Sequence, residues 1–166
     1  EKIINFTNSA LTQYLIKLSA YVEASDEKTI GSYFHVLNDL ERIGDHAENF
    51  HEIGIELIEK KITFSEIAQN GIASMRDNIM KMFVISKDAF ENLNKEHLPE
   101  LTQLEDGVDV MKKQIITNHF ERLAEGNCTL EGSPYFSSVI VGLERVADHL
   151  VNVGYSIKNP TGSQNC

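Results

Sequence analysis

Glu41 and Asp45 stand four residues apart, as do Glu144 and Asp148, and each pair sits in the same phrase. Leu40-Glu41-Arg42-Ile43-Gly44-Asp45-His46-Ala47-Glu48-Asn49 returns 103 positions later as Leu143-Glu144-Arg145-Val146-Ala147-Asp148-His149-Leu150-Val151-Asn152. On a helix, side chains at i and i+4 lie one above the other, about 5–6 Å apart at Cβ, so each pair brings two like charges together. A hard or borderline cation held by both carboxylates relieves that repulsion, and carboxylates at helical spacing are a standard way to build such sites on bundles. The competing reading is a solvated acidic face, with Arg42 or Arg145 neutralising the acids by a salt bridge. One ExxxD alone favours the solvated face. Recurrence of the acid pair, the Arg, the His and the Asn, while core residues drift from Ile43-Gly44 to Val146-Ala147, brings the metal reading level with it. Glu105 and Asp109 form a third ExxxD, matched at an offset of 104 by Glu1 and Asn5; the amide in place of an acid there favours a solvated face.

The elements that must position these residues are helices. Apolar residues recur at helical spacing along nearly the whole chain, with no sustained alternation between turn signals, so the fold class is all-α. A first helix is expected from Ile3 to about Val22, and a long second one from a Ser25 or Asp26 cap to about Lys60. A third follows the Thr63-Phe64-Ser65-Glu66 boundary to Leu93. A fourth carries Pro99 in its first turn and reaches about Ala124. A fifth has Ser133 as cap and Pro134 at its first position, and ends near Lys158. On the fifth helix, Phe136, Val139, Ile140, Leu143, Val146, Ala147, Leu150, Val153 and Ile157 form a core stripe flanked by Glu144, Asp148 and Asn152. On the second, the core stripe is Tyr33, Val36, Leu37, Leu40, Ile43, Gly44, Ala47 and Phe50, with Glu41, Asp45 and Asn49 on the same flank. Met75, Met80, Met82 and Phe83 read as core of the third helix. His46 and His149 read as supporting or surface residues, and His35, His51, His97 and His119 as surface or groove residues.

Composition narrows the function. The chain has 166 residues, 42% hydrophobic and 24% charged, which suits a folded domain rather than a disordered one. Its net charge of −10 is the wrong sign for a phosphate-backbone binder, so nucleic acid is not an expected partner. No apolar run approaches the roughly 18 residues of a membrane span. Cys128 and Cys166 lack CxxC spacing and point to a reducing compartment. Glu-x-x-His, which a di-iron oxidase needs on two helices, occurs in one copy only, at Glu48 and His51. Asp45-His46 and Asp148-His149 reverse the order of an HD phosphohydrolase. No phosphate loop, HExxH or nucleophile elbow is present.

At these residues the chain resembles the PhoU family, whose duplicated E(D)xxxD signature is matched by Leu40-Glu41-Arg42-Ile43-Gly44-Asp45-His46-Ala47 and Leu143-Glu144-Arg145-Val146-Ala147-Asp148-His149. The similarity covers almost the whole chain. It implies tandem three-helix bundles: an incomplete first repeat over 1–62 whose opening helix lies upstream of Glu1, a complete repeat over 63–158, and a frayed tail over 159–166. Phe34-His35-Val36-Leu37-Asn38-Asp39, Ile3-Ile4-Asn5-Phe6 and Tyr14-Leu15-Ile16-Lys17-Leu18 resemble most closely the PhoU-like domain behind the membrane part of bacterial sodium/phosphate cotransporters. By this resemblance the chain is a non-enzymatic regulator of phosphate uptake on the cytoplasmic side of the cell membrane. A membrane-embedded transporter domain or a phosphate-signalling protein is the implied partner, and self-association is compatible with its amphipathic long helix. The family's motif metals, iron or others such as zinc, carry over to Glu41 with Asp45 and to Glu144 with Asp148. Arg42 and Arg145 match without a ligand role. The missing opening helix and Asn5, where the second copy has Asp109, weaken the first site relative to the second. The alternative is a carboxylate-bridged metal enzyme, an oxidase or a hydrolase of small phosphate compounds.

Overall fold

The computed structural model describes residues 2–158 and is all-helical, as the periodicity requires; no strand occurs among the described residues. The five helices are α1 (Lys2–Ser19), α2 (Glu27–Glu59), α3 (Glu66–Asn92), α4 (Leu98–Ala124) and α5 (Ser133–Tyr155). The tail expected over 159–166, with Cys166, lies outside the described residues. α1 stops three residues before Val22, and α5 gives way to a turn over 156–158. Ser65 caps α3 by accepting the Ala68 N–H at 3.4 Å, and Pro99 and Pro134 occupy first turns, where a missing N–H costs nothing. Asp26 holds the N-cap of α2, as one of the two expected candidates, without a side-chain capping bond. The cap expected at Ser133 is corrected: Gly132 holds the N-cap of α5, and Ser133 lies one residue inside the helix with its hydroxyl bound to His119 Nε2 at 2.8 Å. No helix among the described residues is long and apolar enough to cross a membrane.

α5 is the central element. It packs against α2, α3 and α4; α3 also packs on α4, and α1 touches α2 alone. The core therefore gathers around α5, where Met75, Met82, Leu101, Val108, Phe136 and Ile140 lose essentially all contact with water, each such side chain contributing roughly 1.5–3 kcal/mol. The expected α5 stripe is largely realised: Phe136, Ile140, Ala147, Leu150 and Val153 are buried and Val139, Leu143, Val146 and Ile157 partly so. Close approach needs glycine at two places on α5. A Cβ on Gly142 would stand 2.6 Å from Phe50 Cε1, and one on Gly154 the same distance from Leu101 Cδ2.

Three of the eight residues expected in the α2 core and two of the four expected in the α3 core are corrected. Val36 and Gly44 are buried, but Tyr33, Leu40 and Ala47 are exposed. The reason is that α2 turns Asp39 and Phe50 toward α5, while α1 covers only part of the remaining apolar arc. Tyr33 and Leu40 instead line an open apolar groove with Leu11, Tyr14, Leu15 and Phe90. On α3, Met75, Ile79, Met82, Ser86 and Ala89 form the buried stripe at three- and four-residue spacing, which leaves Met80 and Phe83 about half exposed on the other side.

Candidate metal centre

α4 and α5 pack side by side and bring the third ExxxD to the second motif. Glu105 and Asp109 on α4 share an electrostatic neighbourhood with Glu144 and Asp148 on α5. The solvated face expected for Glu105 and Asp109 is thereby corrected: both are half-buried beside the other two acids. Burial first, then the charges of Asp109, Asp106, Asp148 and Glu144, raise the Glu105 carboxyl above its ordinary range. Burial and the Glu144 charge likewise raise Asp148, with Arg145 pulling the other way and Asp109 adding to the rise.

Glu144 is the most deeply placed of the four, 8% exposed. Its Oε1 meets Lys112 Nζ at 2.9 Å. Its Oε2 is buried without a hydrogen-bond partner, with Arg145 Nε 3.7 Å away, and the other arm of Arg145 meets Asp148 Oδ2 at 3.3 Å. As the side chains stand, no three His, Cys, Asp or Glu among the described residues converge tightly enough to clasp an ion. The donor set nevertheless fits one: four carboxylates are the ligands a hard cation takes, and an orphaned buried oxygen is what such a cation would satisfy.

The first motif is a weaker copy. Asn8, which answers to Lys112, donates its amide to Glu41 Oε2 at 2.6 Å. Asp45 meets Arg42 at 3.5 Å on an exposed surface. α1 supplies the amides Asn5 and Asn8 where α4 supplies Asp109 and Lys112, and Glu1 lies outside the described residues. The structure thus brings together Glu105, Asp109, Glu144 and Asp148, and keeps Glu41 and Asp45 as a separate pair.

A polar seam between α2 and α5 completes the region. Asp39, 7% exposed, accepts from His149 Nδ1 at 2.8 Å and from Asn152 Nδ2 at 3.2 Å. His149 therefore faces α2 rather than solvent, and the His46 ring stands 5.9 Å from it. Burial, then the charge of His149, lower the His46 pKa; Asp45 opposes this, and Arg145 and Arg42 add to it. His119 is corrected more fully: it is 3% exposed, bound to Ser133 and packed 4.6 Å from the Phe136 ring, and burial with the Arg122 charge lowers its pKa. The sequence reading missed Asp39 and Lys112, although both carried a signal. Asp39 lies three residues after Val36 and four before Ile43, inside the apolar arc, and Lys112 follows Glu105 and Asp109 on one helical face.

A family description, the PhoU domain, matches residues 1–53 and 72–157, segments that include all six acids and both histidines of the motifs. The chain belongs to the PhoU family. It is 33% identical over 119 residues to the phosphate-specific transport system accessory protein PhoU homolog 1 of Thermotoga maritima, covering 70% of this chain and 49% of that protein. It is 27% identical over 139 residues to the accessory protein PhoU homolog of Clostridium acetobutylicum, covering 84% of this chain and 62% of that protein. The chain thus spans about half to three fifths of the length of these relatives. No solved structure matches it.

The raised acids contribute to the pH dependence of this PhoU-family domain. A carboxyl whose pKa is higher folded than unfolded keeps more protons on the folded chain, so its own contribution to stability declines as pH rises above the ordinary values of 3.8 for Asp and 4.5 for Glu. In buffer free of divalent cations, Asp148→Asn is expected to flatten that decline and raise the melting temperature at pH 7 by about 1–2 °C. Melting curves between pH 4 and pH 7 check this; a steeper decline in the variant would contradict it.

Proposed function

We propose that this chain is a non-enzymatic regulatory domain of phosphate uptake whose α4–α5 acid array takes up a cation. The observation that carries the metal half is the set of four carboxylates from two helices, with Glu144 Oε2 buried and unbonded and both Glu105 and Asp148 held above their ordinary pKa. A bound iron, zinc or other divalent ion supplies the positive charge that lets these groups stay ionised together. Glu144 and Asp148 hold it from α5 and Glu105 and Asp109 from α4, and Lys112 yields Glu144 to it. Glu41 and Asp45 form a second, weaker position. The phosphate half rests on family membership and on relatives named as accessory proteins of phosphate-specific transport.

The partner we assign is a membrane-embedded transporter domain, with this chain as the cytoplasmic part of a sodium/phosphate cotransporter; the wording of residues 34–39 supports that over a free accessory protein. The chain divides into repeats over 1–62 and 63–158. The apolar groove of Leu11, Tyr14, Tyr33 and Leu40 then receives a helix that serves α1 and α2 as α3 serves α5 and α4. Metal content tests the central reading. Protein dialysed against Mn²⁺ and then against metal-free buffer is expected to retain ion, with retention largely lost in Glu144→Gln/Asp148→Asn and mostly kept in Asp45→Ala. Equal metal content in all three proteins would overturn it.

A further inference from the structure

His46 and His149 are equivalent positions of the two motif copies, and their rings face each other across α2 and α5 at 5.9 Å. The approximate two-fold relation between the copies therefore runs between them. On one side of it, His149 Nδ1 and Asn152 Nδ2 hold Asp39 Oδ1 at 2.8 and 3.2 Å. On the other side His46 and Asn49 stand in the same register, but the position that answers to Asp39 is Gly142. A Cβ on Gly142 would lie 3.8 Å from His46 Nδ1, so His46 turns toward Gly142 the same nitrogen that His149 turns toward Asp39. The carboxylate is missing and its two receiving side chains remain.

The residues around Gly142 enlarge the gap. Ser137 and Ser138 stand where α2 has Phe34 and His35, and Val141 where it has Asn38. Phe50, whose counterpart is Val153, takes part of the space, since its Cε1 would stand 2.6 Å from a Gly142 Cβ. What is left is a 330 Å³ cavity open to solvent, lined by His46, Asn49, Ser137, Ser138, Val141 and Gly142. Its polar groups are an imidazole N–H, an amide and two hydroxyls, all able to donate to oxygen.

We propose that this cavity binds a small carboxylate anion, whose oxygens take the place of the side-chain carboxylate that Gly142 lacks. His46 Nδ1 and Asn49 Nδ2 receive it as His149 and Asn152 receive Asp39, and the Ser137 and Ser138 hydroxyls complete its shell. Arg42 and Arg145 stand near His46, but each is ion-paired with the aspartate of its own motif, so the cavity offers an anion hydrogen-bond donors rather than net positive charge. The ligand is set by hydrogen-bond geometry already realised once in the same molecule, and this inference does not depend on metal at the acid array.

The test is titration with sodium acetate and sodium formate at fixed pH and ionic strength, read by NMR at the imidazole nitrogens of His46 and His149. The expected result is a saturable shift at His46 in the millimolar range with His149 unmoved. Asn49→Ala, at an exposed position, is expected to weaken binding several-fold. Phe50→Val/Gly142→Asp, which reproduces the Asp39 and Val153 pair seen opposite, is expected to abolish it. A response that does not saturate, that chloride reproduces, that appears equally at His149, or that survives unchanged in Asn49→Ala would overturn the proposal. Saturation by inorganic phosphate with acetate and formate inert would overturn the carboxylate assignment.

Discussion

Phe136→Ala is expected to lower the free energy of unfolding by about 3–5 kcal/mol, the range for deleting a large aromatic from a packed core. Phe136 is 1% exposed on the element that all of α2, α3 and α4 touch. Its ring meets Phe64 edge-on at 5.6 Å and the His119 ring at 4.6 Å. Alanine removes both contacts and leaves a void that helices pinned at several points cannot close. Against a total stability of about 5–15 kcal/mol for a domain, that is a large fraction. Phe83→Ala, at a side chain 46% exposed, is the control and is expected to cost under about 1 kcal/mol. Urea unfolding of the three proteins checks the difference; equal midpoints for the two variants would contradict the core described above.

Asp39→Ala is expected to cost about 1–3 kcal/mol, the usual penalty for stranding a buried polar partner. The substitution takes from His149 Nδ1 the carboxylate it meets at 2.8 Å in the seam that joins α1 and α2 to the rest of the molecule. Asp45→Ala, which removes an exposed contact with Arg42 at 3.5 Å, is expected to change stability by less than about 1 kcal/mol. For stability, then, the acid outside the repeated motif outweighs the acid within it. Thermal or urea melts of both variants at pH 7 measure this, and a larger loss for Asp45→Ala would contradict the seam's role.

Those two acids also show what the sequence conveys and what it does not. Helix number and the starts of α3 and α4 were legible because caps and prolines are local: Ser65 before α3 and Pro99 in the first turn of α4 act on their own backbone, whereas the ends of α1 and α5, which no such residue marks, fall three residues short. The face of α5 was legible because it is covered along its length. The face of α2 was half legible, since apolar spacing shows which arc seeks cover but not that α5 takes the arc of Asp39 and leaves Tyr33 and Leu40 open. On α3, Met80 and Phe83 are as apolar as Met75 and Met82, and only the neighbours decide which pair is buried. At the site, repetition identified Glu144 and Asp148. Lys112, Glu105 and Asp109 join them across a helix–helix contact, and periodicity on one helix carries no information about its partner's side chains. His119 was misplaced for the same reason, because its partners Ser133 and Phe136 belong to another helix.

Anomalous diffraction from crystals grown with Mn²⁺ addresses the acid array most directly. The account predicts a compact peak between α4 and α5 at about 2.0–2.6 Å from oxygens of Glu144 and Asp148, with Lys112 turned away from Glu144. Lys112 still 2.9 Å from Glu144, with no anomalous peak beside the four carboxylates, would contradict it.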